Sequence, residues 1–205
     1  LSERFMLEIS SRRSRAEGEA VDGAGGRLKI FSLEASRALG AGVAAELGSD
    51  VPFCVTGGTA LATGTGTATA QVLCRGTFHW VVGMSHEPLS TPAVYRAFDE
   101  VGESTEKEPD VVLHALRTGD AEVLGAALHN DLDVAAFQLR PALRDARDAM
   151  LAAGALGAIV SGSGPTVIAL AEDRHAAERI RDDVAAHFDR CEVASSPSGG
   201  PSRPA

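Results

Sequence analysis

Two stretches of this 205-residue chain carry residue types whose spacing can support chemistry. The first is Leu47-Gly48-Ser49-Asp50-Val51-Pro52-Phe53, a single acid among apolar neighbours. Ala41 to Leu47 reads as the end of an Ala-rich helix, which Gly48 stops by accepting backbone angles that other residues resist. Pro52 biases Val51 towards an extended conformation, so Asp50 stands on a helix-to-strand corner. A carboxylate in that place either caps local backbone N–H groups or works as a base, and pattern alone leaves both readings open. The second stretch is Ser161-Gly162-Ser163-Gly164-Pro165-Thr166, set between two short apolar runs. Two glycines and two serines there let another backbone or a phosphate approach closely; a plain tight turn explains the same composition. Gly57, Gly58, Gly64 and Gly66 also allow close approach, or simply mark hairpin turns.

The elements that must position these residues follow from periodicity. Residues 59–63 and 69–73 alternate or carry β-branched side chains, which predicts a hairpin-like pair. Residues 77–84 form a mostly apolar run, hence a buried strand, and 158–160 and 166–170 read the same way. Ser90-Thr91-Pro92 opens a helix running to about Val101, with a capping hydroxyl followed by proline in the first turn. Residues 102–109 read as a charged loop. Helical segments are predicted over 110–117, 120–129 and 132–139, the last continuing after Pro141 to Ala153. A final helix over 173–188 precedes a strand at 191–194. These alternations describe an α+β domain of sheet and helix layers. Residues 1–30 show no clear period and read as poorly structured; 195–205 is a Ser/Pro/Gly tail expected to be disordered.

Composition excludes several classes. Aromatics are 4% of the residues, so the core is expected to be Ala, Val and Leu. A net charge of −9 argues against a nucleic-acid or anionic-membrane partner, which needs a basic face. It leaves a nucleotide ligand open, because phosphate sites are built locally from backbone N–H groups and a few cations. Cys54, Cys74 and Cys191 form no Cys-x-x-Cys pair and no zinc spacing with histidine. Single thiols, no apolar run of bilayer length and no signal-peptide pattern point to the cytoplasm. His79, on a buried strand beside Trp80, reads as a satisfied core histidine rather than a catalytic one. The other histidines are scattered without ligand spacing. The charges from Arg174 to Asp183 read as the solvated face of the last helix.

Leu47 to Phe53, followed by Gly57-Gly58-Thr59-Ala60-Leu61-Ala62-Thr63-Gly64, resembles the segment that carries the catalytic Asp in the 4-diphosphocytidyl-2-C-methyl-D-erythritol kinases. Val160 to Thr166 is similar to the third signature of the wider galactokinase, homoserine, mevalonate and phosphomevalonate (GHMP) kinase superfamily. Thr77 to Val81, Asn130-Asp131-Leu132 and Arg140 to Leu143 sit in the order and spacing of that family. The resemblance spans about residues 44–194. It implies an ATP-dependent, Mg²⁺-assisted kinase of the non-mevalonate isoprenoid route, acting on a small cytidyl diphosphate sugar alcohol. Asp50 would be the base that takes the substrate hydroxyl proton, Ser161, Gly162, Ser163 and Gly164 would lie at the nucleotide phosphates, and Gly57 and Gly58 near the substrate. Residues 44–76 would be part of the N-terminal kinase domain and 77–194 the C-terminal domain.

The same resemblance implies an N-terminal half with a lysine beside the catalytic Asp, side chains that hold the cytosine, and a main phosphate loop. Residues 1–43 match none of these, and the glycine-rich Val21 to Arg27 is not followed by such a helix start. The expectation is an atypical segment over 1–43 and an impaired kinase. A shifted reading frame or misplaced gene start would produce such a segment; peptides of residues 1–40 detected in the natural protein would rule that out. A homoserine or mevalonate kinase of the same superfamily, and a non-catalytic α+β module, are the alternative readings.

Overall fold

The computed structural model describes residues 58–63, 68–101 and 109–197. Asp50, Gly57, the helix expected before Asp50 and the tail from residue 198 lie outside them. The chain divides into two units, with a boundary between Gln71 and Val72.

Of the first unit, the described part is an antiparallel hairpin, β1 (Ala60–Thr63) and β2 (Ala68–Gln71), with Ala60 opposite Gln71 and Thr63 opposite Ala68. The second strand begins one residue before the expected 69–73 and stops two residues short of its end; Leu73 beyond it is exposed.

The second unit is built on one antiparallel sheet. Its strands are β3 (Phe78–Met84), β4 (Gly157–Val160), β5 (Val167–Ala171) and β6 (Arg190–Ser196), in the order β4-β5-β3-β6. Both crossovers skip one strand, so β3 and β4 run parallel with β5 between them, and β5 and β6 do so around β3. This is a split β-α-β arrangement. Among the described residues, five helices fill the first crossover: α1 (Thr91–Val101), α2 (Asp110–Thr118), α3 (Ala121–Ala127), α4 (Asp133–Leu139) and α5 (Pro141–Ala152). One helix, α6 (Arg174–Val184), fills the second.

Register sorts the side chains between two faces. Val81, Ala169, Ala158 and Val193 share one row of the sheet. That face is covered by Phe137 of α4, Leu143 and Met150 of α5, and Ala177, Ile180 and Val184 of α6, all buried in one cluster. Trp80, Leu170 and Gly157 share a row of the opposite face. There α3 approaches so closely that a Cβ on Gly157 would overlap the Gly125 carbonyl. All five residues of β5 are buried, which is why its sequence is a continuous apolar run without alternation.

Local chemistry sets the helix ends. Asp120 caps α3, its carboxylate accepting the Val123 N–H at 3.0 Å, and Asp173 caps α6 by accepting the Ala176 N–H at 2.7 Å. The Ala176 N–H holds the Asp173 carboxyl below its ordinary range. Gly119, with φ 77°, ends α2 in the left-handed conformation. The helical stretch expected to run on past Pro141 is interrupted: Arg140 is extended (φ −144°, ψ 91°), as a residue before proline tends to be. The last helix is shorter than 173–188, since Ala185–His187 tighten into a 3₁₀ turn.

Two further expectations are corrected. Strand β6 continues through Ser195 and Ser196, which composition assigned to the tail. Ser196 is buried because its hydroxyl accepts the Trp80 indole N–H at 2.9 Å. His79 is half-buried rather than part of the core, and its buried Nδ1 has no hydrogen-bond partner among the described residues. Among the described residues no helix is long and apolar enough to cross a membrane.

Candidate functional site

The loop Ser161–Thr166 joins β4 to β5 at the edge of the sheet. Its base is closed by the Ser161 N–H donating to the Thr166 carbonyl at 2.8 Å, and within it the Gly164 N–H donates to the Ser161 carbonyl at 2.9 Å. Gly162 and Gly164 both take positive φ, 57° and 79°. At Gly164 the glycine is doubly required, since a Cβ would also meet Val160 Cγ1 at 2.9 Å. A loop of this composition exposes backbone rather than side chains.

Three groups outside the loop hold its shape. Asn130, in the turn before α4, spends its one amide nitrogen on two carbonyls, those of Val160 and Gly162, each at 2.8 Å. Its carbonyl oxygen accepts the Leu132 N–H at 3.1 Å, so the side chain is fixed at both ends. Asp133, at the first position of α4, accepts the Val160 N–H at 3.0 Å. Both backbone groups of Val160, the last residue before the loop, are thus tied to the same short segment. Thr91, the first residue of α1, lies with its hydroxyl 2.8 Å from that of Ser163 and shares a hydrogen bond with it. The segment before α1 is held in turn by Arg140, whose guanidinium donates to the Glu87 and Pro88 carbonyls at 2.8 and 3.2 Å.

The electrostatics centre on Asp133. Burial raises its carboxyl to about 6, and the Val160 N–H, Arg147 on α5, His129 and the Asn130 amide offset that rise only in part. His129 itself lies 2.7 Å from Asp131. Cys191, on β6, is pushed up to about 11 by burial, which leaves it a protonated and unreactive thiol at neutral pH. Among the described residues no group of three or more His, Cys, Asp or Glu side chains could hold a metal ion.

Of the residues singled out from sequence, Ser161, Gly162, Ser163 and Gly164 form this one loop. Gly58 lies in the other unit, with φ 76°, at the start of the β1–β2 hairpin. Sequence reasoning passed over Asn130 and Asp133 as loop-holding groups, along with Thr91 and Arg140. The signals were the Asn130-Asp131-Leu132 and Arg140 to Leu143 stretches, placed by the family resemblance but given no role, and a polar Asn-Asp-Leu-Asp run that looks like an ordinary helix start.

Residues 112–190 match the family described as GHMP kinases C terminal. A 4-diphosphocytidyl-2-C-methyl-D-erythritol kinase of Corynebacterium diphtheriae is 46% identical over 158 residues, covering 77% of this chain and 50% of that protein. One from Streptomyces avermitilis is 43% identical over 192 residues, covering 89% of this chain and 65% of that protein. A crystal structure of a 4-(cytidine 5′-diphospho)-2C-methyl-D-erythritol kinase superimposes with a TM-score of 0.64 at 30% identity, covering 78% of this chain and 60% of that one. The chain spans about half the length of the curated relatives it matches. Its second unit has the GHMP kinase C-terminal fold, and the chain is a relative of the 4-diphosphocytidyl-2-C-methyl-D-erythritol kinases.

Proposed function

We propose that this chain belongs to a phosphotransferase that moves the γ-phosphoryl group of ATP onto a hydroxyl of 4-diphosphocytidyl-2-C-methyl-D-erythritol. The observation that carries this reading is the shared name of the curated relatives, which match the chain over three quarters of its length or more. That shared name favours the cytidyl substrate over homoserine or mevalonate. Phosphoryl transfer asks a protein mainly for positioning and charge stabilisation, with one placed carboxylate to accept the proton of the attacking hydroxyl. Asp50 is the residue we assign to that task; it stands within the 89% of the chain that the Streptomyces avermitilis protein matches.

The 161–166 loop supports the reading by its chemistry. Its small residues and two left-handed glycines let a phosphate group reach the backbone without a side chain in the way. Gly57 and Gly58 are assigned to the substrate side. Mg²⁺ would arrive with the ATP phosphates, as it does where one or two carboxylates and the nucleotide share it; no described residue is assigned to it. The reaction belongs in the cytoplasm, where cysteine thiols such as Cys74 and Cys191 stay reduced.

The test is ADP release by the full 205-residue chain with ATP, Mg²⁺ and the cytidyl substrate, with calorimetric titration of a non-hydrolysable ATP analogue alongside. Turnover that Asp50→Ala lowers by about 100-fold or more, with the protein still folded, would support the assignment. Turnover on homoserine or mevalonate would reject the substrate. Absence of both turnover and analogue binding would make this chain a non-catalytic module.

A further inference from the structure

From the hydrogen bonds around Val160 we infer that Asn130 and Asp133 are positioning residues that set the shape of the 161–166 loop. Nothing else described holds the loop's entrance on both its donor and its acceptor side. The Asn130 amide nitrogen has two protons and meets two acceptors, the carbonyls of Val160 and Gly162, at equal distances of 2.8 Å. Those carbonyls flank Ser161, so this contact fixes the direction in which the chain leaves β4. Asp133 takes the remaining polar group of Val160, its N–H, at 3.0 Å. Without these contacts β4 would still pair with β5 through Val160 and Val167, but of the described groups outside the loop only Thr91, at Ser163, would still hold the turn.

Chemistry explains why these residue types stand here. A side chain that donates twice from one nitrogen and accepts once at the same time is an amide; no hydroxyl or carboxylate does both. An Asp at position 130 keeps the acceptor for the Leu132 N–H but turns a carboxylate oxygen towards two carbonyls, which repel it. Position 133 needs only an acceptor, so Asn can replace Asp there whereas Ala cannot. The inference rests on the proposed function only in supposing that the loop meets phosphate; the loop's own shape is measured independently of that.

The experiment is ¹⁵N–¹H spectroscopy and amide exchange on the full chain and on Asn130→Asp, Asp133→Ala and Asp133→Asn. In Asn130→Asp and Asp133→Ala the Gly162, Ser163 and Gly164 signals should move, and the Ser161 amide, bonded to the Thr166 carbonyl, should exchange about tenfold faster or more. The Trp80 indole signal, which reports the distant contact with Ser196, should stay in place. Asp133→Asn should keep the native loop signals. Unchanged loop signals in Asn130→Asp, or equal disturbance of the Trp80 signal, would overturn the inference. Adding the magnesium complex of a non-hydrolysable ATP analogue separates the two claims: if the native chain shows no shifts, the kinase reading fails for it, while the exchange data still decide the role of Asn130 and Asp133.

Discussion

Replacing Asp133 by Asn removes a charge that the fold houses unfavourably. The carboxyl sits at the first position of α4, where the Val160 N–H, Arg147 and His129 favour its charged form, yet burial outweighs them and lifts its pKa from 3.8 to about 6. A proton therefore binds the folded state more tightly than the unfolded one. The stability this group contributes is complete below pH 3.8 and is lost as pH rises through about 6. At about 1.4 kcal/mol for each pKa unit, the full loss approaches 3 kcal/mol above that window, an upper figure because water and small rearrangements relieve part of it. Asn at position 133 can still accept the Val160 N–H but carries no charge to desolvate. Urea denaturation of the two proteins at intervals from pH 4 to pH 8 measures the difference directly, free of the many other acids that titrate in both. The variant should be about equal to the parent near pH 4 and about 2 to 3 kcal/mol more stable at pH 7 to 8, the gap opening between. A gap that does not change with pH, or a parent that gains on the variant as pH rises, would refute the account of Asp133 as a carboxylate dominated by burial.

Other substitutions test the packing around the site. Gly157→Ala drives a methyl into the Gly125 carbonyl of α3, and should destabilise the chain by about 1 to 3 kcal/mol or prevent folding, read by thermal melting. Ser196→Ala leaves the fully buried Trp80 indole N–H without its acceptor; a loss of about 1 to 3 kcal/mol and a changed tryptophan emission are expected. Asp120→Ala removes the cap of α3 and should lower stability by about 1 kcal/mol in chemical denaturation, with the loop signals of residues 162–164 unchanged.

Much of the second unit was legible because its signals are local. Apolar runs of four to seven residues marked β3, β4 and β5 within a residue or so at each end, and an apolar face at helical spacing marked the helices that bury Leu143, Met150 and Ile180. The expectation for the last strand stopped at Ala194 because Ser195 and Ser196 look like linker; Ser196 belongs to the sheet through its pairing with Phe78 and its hydrogen bond to Trp80, 116 residues away in sequence. The break at Arg140 was less visible, since a helix stop and a helix start either side of proline leave the apolar face nearly in phase.

The loop shows the same division. Its residue types, small and glycine-rich, follow from sequence, because backbone angles near φ 57° and 79° are open chiefly to glycine and that need is local. The amino-acid order also determined the family resemblance, which resides in short contiguous motifs. What holds the loop was decided only in three dimensions. Asn130 reaches Val160 and Gly162 across 30 and 32 residues, and Thr91 reaches Ser163 across 72. A hydrogen bond between residues so far apart leaves no periodic trace, because the polar partner occupies a single position and its alignment depends on how β4, α1 and α4 pack. The raised pKa of Asp133 has the same origin: it arises from desolvation by neighbouring elements, which only the folded arrangement supplies.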